Sequence, residues 1–240
     1  MLQLIVMYRS SLSILLYLLV ILPIRGQEKE PNAISIPNQK LNNLLQGRTY
    51  YPNYLNVVGS QFITNDWQVG KITLMDEVYS DLPLWYDIYT DDLILIDWQG
   101  LGYGMIKLNK EHIESFEFDN RRFINPTYND YRKYGLGHIF HEVMTEGTVS
   151  FLVRRTINMQ QENSVNHFVR KDAKILIYSD QMFIFKNKKS FLKAIPPSTK
   201  DDIVKYIRKN KIHFKKADDS VWTRLIVLVN ELLYIESGKE

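Results

Sequence analysis

Lys174-Ile-Leu-Ile-Tyr178, Ser179-Asp180-Gln181 and Met182-Phe-Ile-Phe-Lys186 are the stretch on which the reading of this chain turns. Two β-branched and aromatic runs flank a short polar interval, the pattern of a β-hairpin. Strands joined by so short a loop are antiparallel neighbours, because a parallel pair needs a crossover of a dozen residues or more. The pattern recurs upstream. His138-Ile-Phe-His-Glu-Val-Met144 leads through Thr145-Glu146-Gly147 into Thr148-Val-Ser-Phe-Leu-Val-Arg154. The glycine closing that loop is expected to supply a positive φ.

Further short runs lie between Tyr50 and Phe191. Val69–Met75 precedes a turn at Asp76-Glu77, and Leu82–Tyr89 passes through Thr90-Asp91-Asp92 into Leu93–Ile96. Leu84, Tyr86 and Ile88 should share one strand face, with Trp85, Asp87 and Tyr89 on the other. Pro83 sits near the start of that run, where a missing ladder donor is tolerated. Tyr103–Leu108 and Ile113–Phe118 follow, the latter with Ile113, Ser115 and Glu117 opposite Glu114, Phe116 and Phe118. The period changes after Pro196-Pro197. Ser198 is expected to cap a helix with Asp201 three residues on. Ile203, Val204 and Ile207 form its apolar stripe, and Lys205, Arg208 and Lys209 face outward. A second helix starts near Asp218 or Asp219, with Trp222, Leu225, Ile226 and Val229 on a broad apolar face. The expected class is α+β. A mainly antiparallel β-meander or barrel-like sheet spans residues 47–195, and a C-terminal helical hairpin over 196–240 packs on it.

The N-terminus reads as an address. Arg9 precedes Ser10-Ser-Leu-Ser-Ile-Leu-Leu-Tyr-Leu-Leu-Val-Ile-Leu-Pro-Ile24, the order of a secretory signal peptide. Cleavage is expected after Gly26, so 1–26 is a signal peptide and the mature chain begins at Gln27. The segment starting at Met7 has more usual signal proportions than the one starting at Met1. The rival reading is a retained membrane anchor. A spanning helix needs about 20 apolar residues, and this run is shorter, broken by Pro23 and closed by Arg25. Residues 27–46 are polar, carry Pro31 and Pro37, and read as a linker or N-terminal arm.

Composition excludes several classes. The 240 residues are 45% hydrophobic and 24% charged, which is not the profile of a disordered chain. There is no cysteine, hence no disulfide framework, thiolate zinc site or cysteine nucleophile. The formal net charge of +3 falls to +1 once Arg9 and Arg25 leave with the signal. A nucleic-acid partner is therefore not expected. Charge is segregated, however. Asp66–Asp119 holds 12 acidic and 3 basic residues, and Arg170–Lys216 holds 14 basic and 4 acidic.

Two stretches, Gly59-Ser-Gln-Phe-Ile-Thr-Asn-Asp-Trp-Gln-Val-Gly-Lys-Ile-Thr-Leu74 and Leu84-Trp-Tyr-Asp-Ile-Tyr-Thr-Asp-Asp-Leu93, resemble a group of exported, β-rich Bacteroidetes proteins of unknown function. So does the tail Lys188-Lys-Ser-Phe-Leu-Lys193 with Ile203–Phe214. The resemblance covers most of the mature chain. It implies an envelope location and a β-rich body with a helical end, and it brings no catalytic residues.

Few constellations carry chemistry. His138, His141 and Glu142 would sit close enough for a metal on a helix, but on a strand His138 and Glu142 share one face and His141 takes the other. Gly100-Leu-Gly-Tyr-Gly104 lacks the last glycine and following helix of a phosphate loop and reads as a hairpin loop or bulge. Asp87, Asp91, Asp92 and Asp97 lack EF-hand spacing, and Asp91-Asp92 read as turn residues bonding nearby amides. Trp67, Trp85, Tyr86, Tyr89 and Trp98 are the aromatic candidates for gripping a glycan or an envelope protein. No catalytic residue and no cofactor is assigned. The expectation is an exported periplasmic or envelope protein acting as a non-catalytic structural or binding module. One alternative is an envelope hydrolase or metal-dependent enzyme using His138, His141 or His167. The other is a tethered protein whose basic surface contacts lipid.

Overall fold

In a computed structural model, residues 47–52, 54, 56–97 and 104–238 are described. The readings placed on 1–26, on 27–46, on Trp98 and on Gly100–Tyr103 lie outside these residues. Among these residues fourteen strands and three α-helices follow in order. The strands are β1 (Arg48–Thr49), β2 (Val57–Val58), β3 (Gln68–Leu74), β4 (Glu77–Asp87), β5 (Asp92–Asp97), β6 (Gly104–Lys107), β7 (Ile113–Phe118) and β8 (Arg121–Ile124). Then come β9 (His141–Thr145), β10 (Val149–Arg154), β11 (Ile157–Glu162), β12 (Val165–Arg170), β13 (Ala173–Tyr178) and β14 (Gln181–Phe185). The helices are α1 (Lys188–Ala194), α2 (Lys200–Lys209) and α3 (Asp219–Ser237).

Eleven strands form one antiparallel sheet in the order β1-β6-β5-β4-β3-β7-β8-β9-β10-β13-β14. The chain lays β3 to β6 outward in one direction, then returns to place β7 beside β3 and proceeds the other way. The fold is thus the expected α+β meander with C-terminal helices. A smaller sheet, β11-β12-β2, pairs β12 with β2 in parallel.

Four hairpins close on two-residue turns: Met75-Asp76, Asp119-Asn120, Asn163-Ser164 and Ser179-Asp180. All eight residues have φ between 49° and 65°. That is the mirror-image turn whose twist matches the strands it joins, and Asn, Asp and Ser tolerate it better than bulkier residues do. Glu77 and Gln181, read as turn residues, are therefore the first residues of strands. Gly147 does not have a positive φ. Its small size is needed instead beside the Asn230 side chain.

Other local expectations shift for identifiable reasons. The run read as Leu82–Tyr89 begins at Glu77, so Pro83 lies inside β4, opposite Val69, and pairing with β5 starts only at Leu84. A bulge in the β3–β7 ladder passes from Thr73–Ser115 to Leu74–Ile113. The skipped residue Glu114 turns Ile113 inward, so Ile113 is buried together with Phe116 and Phe118. The Ser198 cap is not formed. Pro197–Thr199 is already a 3₁₀ turn that runs into α2, and the buried Thr199 hydroxyl donates to the Pro196 carbonyl at 2.9 Å. A capping box appears instead at α1, where Asn187 and Ser190 satisfy each other's backbone N–H. The helical end therefore has three helices, the first lying before residue 196.

Alternation along β10 organises the core. Val149, Phe151 and Val153 face the helical layer, joining Leu176 and Phe185 against Phe191, Ile203, Ile207, Trp222, Leu225, Ile226 and Val229. Leu152 points the other way, with Ile124, Ile175 and Ile177, under Tyr131, Tyr134 and Leu136. In the first half of the sheet Tyr86, Phe116, Phe123 and Phe140 pack ring against ring, with Phe116 4.7 Å from Phe123, 4.9 Å from Phe140 and 5.1 Å from Tyr86.

Candidate functional site

Two ionic centres lie inside this frame. The first is at the β4–β5 turn. Asp87 is fully buried at the end of β4, and its Oδ1 accepts from the backbone N–H of Tyr89 at 2.8 Å and of Thr90 at 3.1 Å. Its Oδ2 accepts from the Tyr50 hydroxyl at 2.6 Å. Burial pushes the Asp87 carboxyl up, and those three bonds act against the shift. The Tyr50 phenol is pushed up as well, by burial and by Asp87.

Asp91, in the left-handed region at φ 60°, reaches across the sheet. It accepts from the Tyr86 hydroxyl at 2.5 Å and from the Phe140 backbone N–H at 3.3 Å, and it pairs with the Lys110 ammonium. Lys110 Nζ lies 5.1 Å from the centre of the Phe140 ring. Burial pushes Lys110 down to about 8, and the Arg154 charge acts in the same direction. His141, 1% exposed, places Nδ1 2.8 Å from the Ile139 carbonyl. Burial, with repulsion from Arg154 and Lys110, pushes it down to about 4, so it is a neutral imidazole at physiological pH.

The second centre is a shallow cleft of about 590 Å³ between the sheet and the start of α3. Arg155 is 4% exposed and bonds Glu142, with further bonds to Asp172 at 2.8 Å and Asp219 at 2.5 Å. Arg121 grips Glu142 with two parallel bonds of 2.7 Å. Arg170 holds Asp172 at 3.0 Å. Burial alone would lower the Arg155 guanidinium, but the Glu142 charge and the bonds to Asp172 and Asp219 hold it above its ordinary value. These residues come from β8, β9, β12, the β10–β11 and β12–β13 connections and α3. The centre is a clasp of interlocked charges with bidentate geometry.

The structure disperses the residues singled out in the sequence. His138 is exposed in a turn ahead of β9 and is not on the strand, so it shares no face with Glu142. His141 bonds at the Ile139 carbonyl, while Glu142 is consumed by Arg121 and Arg155. His167 lies on β12, in the other sheet. Tyr86 is entirely buried and belongs to the core, which removes it from the aromatic candidates. Trp85 is half-buried, stacked on Phe62 at 3.6 Å, and donates to the Thr64 carbonyl at 3.2 Å. Trp67 packs beside it against Tyr50, Ile94 and Ile96. Tyr89 meets Tyr54 at 5.1 Å and Phe168 at 5.2 Å, which ties the large sheet to the small one. Asp92 pairs with Lys107 at 2.8 Å. The side chain that bonds the local turn amides is Asp87, not Asp91 or Asp92.

Lys110, Arg121, Arg155, Asp172 and Asp219 were not distinguishable in the sequence. Arg155 meets partners 13, 17 and 64 residues away, so no local spacing announces it. Among the described residues no ion pair joins the acidic block to the basic one. Lys186, Lys189, Lys193, Arg208, Lys209, Lys211, Lys215 and Lys216 are exposed. No helix among the described residues is long and apolar enough to cross a membrane. No family model, curated protein or solved structure matches this chain.

Proposed function

We propose that this chain is exported and works in the periplasm or cell envelope as a non-catalytic structural or binding module. One observation carries the reading: the ionisable side chains that converge inside the fold are bonded to one another. Glu142 has both oxygens engaged by guanidinium groups, and Asp87 accepts three hydrogen bonds. A general acid or base must instead present an oxygen or nitrogen to substrate. The signal-like N-terminus and the resemblance to exported Bacteroidetes proteins point the same way. An envelope protein or a glycan is the partner proposed, with half-buried Trp67, Trp85 and Tyr89 as its aromatic contacts.

The test is fractionation of cells expressing the full chain, followed by N-terminal sequencing. Recovery in the envelope fraction with Gln27 as first residue is the expected result. A cytoplasmic protein retaining its N-terminal methionine would overturn the reading. A second reading, a basic surface resting on anionic lipid, is favoured by the exposed lysines of the helical layer. Salt-sensitive sedimentation with anionic vesicles, and none with neutral ones, would select it.

A further inference from the structure

Asp91 and Lys110 differ from the exposed ion pairs of this protein. Their side chains retain 15% and 22% exposure, against 37% and 50% for Glu117 and Lys71 and 80% and 56% for Asp180 and Lys133. The Lys110 ammonium faces the Asp91 carboxyl group beside the Phe140 ring. On its other side the carboxyl receives the Tyr86 hydroxyl, and the Phe140 N–H lies 3.3 Å from both oxygens. The Lys110 nitrogen is therefore held against an oxygen of a carboxyl group that already meets two fixed donors. Asp91 is positioned by its left-handed turn and Lys110 by the 3₁₀ turn Lys110–His112.

We propose that Lys110 Nζ and Asp91 Cγ condense to an intramolecular amide, a covalent cross-link between the β4–β5 turn and the β6–β7 connection. The ammonium first gives up a proton to solvent, a loss that burial of Lys110 favours. The neutral amine adds to Cγ as the carboxylate takes up a proton from solvent in exchange. Tyr86 O–H and Phe140 N–H donate to the oxygen that gathers negative charge, as the donors of an oxyanion hole do. The hydroxyl oxygen takes the proton shed by the amine nitrogen and leaves as water. One C–N bond forms, one C–O bond breaks, and nothing is oxidised or reduced. Ammonium and carboxylate become one neutral amide and one water.

Two physical terms drive the step. Condensation removes two charges whose burial is costly. Fixing amine and carboxyl in contact gives an effective molarity that reaches about 10⁵–10⁸ M in well-oriented systems, which opposes hydrolysis by water. A cross-link here would serve a chain that has no cysteine with which to make a disulfide.

The experiment is mass spectrometry of the full-length protein after unfolding and tryptic digestion. The expected product is residues 72–107 joined to residues 108–121, uncut after Lys110 and about 18 Da lighter than the two separate sequences, as loss of one water requires. The Lys110→Arg variant keeps the charge and should give separate peptides. The Asp91→Asn variant should give the same amide by losing ammonia. Tyr86→Phe should slow its appearance by about 10²-fold or more, the usual effect of losing one such donor. Separate wild-type peptides at their sequence masses would overturn the proposal. So would loss of water confined to the Asp91 peptide with normal cleavage at Lys110, which would mark a succinimide.

Discussion

Asn230 of α3 binds both backbone polar groups of Val149 at the start of β10: the Val149 N–H donates to Oδ1 at 2.8 Å, and Nδ2 donates to the Val149 carbonyl at 2.9 Å. The amide stands in for a neighbouring strand, because the β9–β10 ladder begins only at Phe151 and Thr145. A helix side chain thereby completes the sheet where the chain is turning.

That relationship explains Gly147. A Cβ at this position would come within 2.8 Å of Asn230 Nδ2 and 3.0 Å of its Cγ. Gly147→Ala should displace the amide and destabilise the protein by about 1–3 kcal/mol, the cost of leaving a partly buried backbone pair unmet. Asn230→Ala should cost a similar amount, and the double variant little more than either alone, because the two changes remove one interaction. Urea unfolding of the three variants checks this.

The Arg155 clasp sets up a second test. Arg155→Met removes the only cation that Glu142, Asp172 and Asp219 share among the described residues, leaving buried carboxylate charge poorly compensated. Destabilisation of about 3–5 kcal/mol is expected. Arg155→Lys should recover only a minor part, since an ammonium lacks the planar fork that reaches several carboxylates at once. Chemical denaturation at constant pH measures both.

His141 predicts an acid-sensitive fold. In the unfolded chain it gains a proton near the ordinary imidazole value of 6.5, whereas the folded protein resists until about 4. Between these values the unfolded state binds more protons, so stability falls as pH drops from 6.5 toward 4 and is unaffected by this group above 6.5. The shift corresponds to about 3 kcal/mol. His141→Asn keeps a donor for the Ile139 carbonyl and cannot titrate. Its unfolding free energy should lose that share of the slope across the same window.

The paired left-handed turns predict a stabilising change. Asn163 and Ser164 sit at φ 49° and 65°. Ser164→Gly relieves that strain but loosens the unfolded chain, for a net gain of about 0.5–1 kcal/mol and a rise of about 1–3 °C in Tm. Ser164→Val, with a branched Cβ in the same region, should lower Tm instead. Differential scanning calorimetry distinguishes the two.

How much was legible beforehand differs by element. Residues 174–186 announced their hairpin because alternation and turn chemistry are local. β7–β8 and β11–β12 went unread although Asp119-Asn120 and Asn163-Ser164 are turn dipeptides, because Arg121–Ile124 is only four residues long and opens on two arginines, and Val165–Arg170 has its apolar run broken by Asn166 and His167. Nor does alternation register a bulge, and the one at Glu114 reversed the expected side of Ile113. Tyr86 was a candidate for binding only because a strand residue's face does not say which face is covered.

By itself the sequence determined the class of the fold: period-2 apolar runs, short polar turns and a late change to helical period admit little besides an antiparallel sheet with terminal helices. It also determined that the fold holds together without disulfides. Only the tertiary structure decided that β7 returns beside β3, that Arg155 draws in carboxylates from three separate segments, and that Lys110 meets Asp91. The reason is range. Hydrophobic period and turn preference act over a few residues, whereas a buried charge finds partners wherever the sheet order brings them.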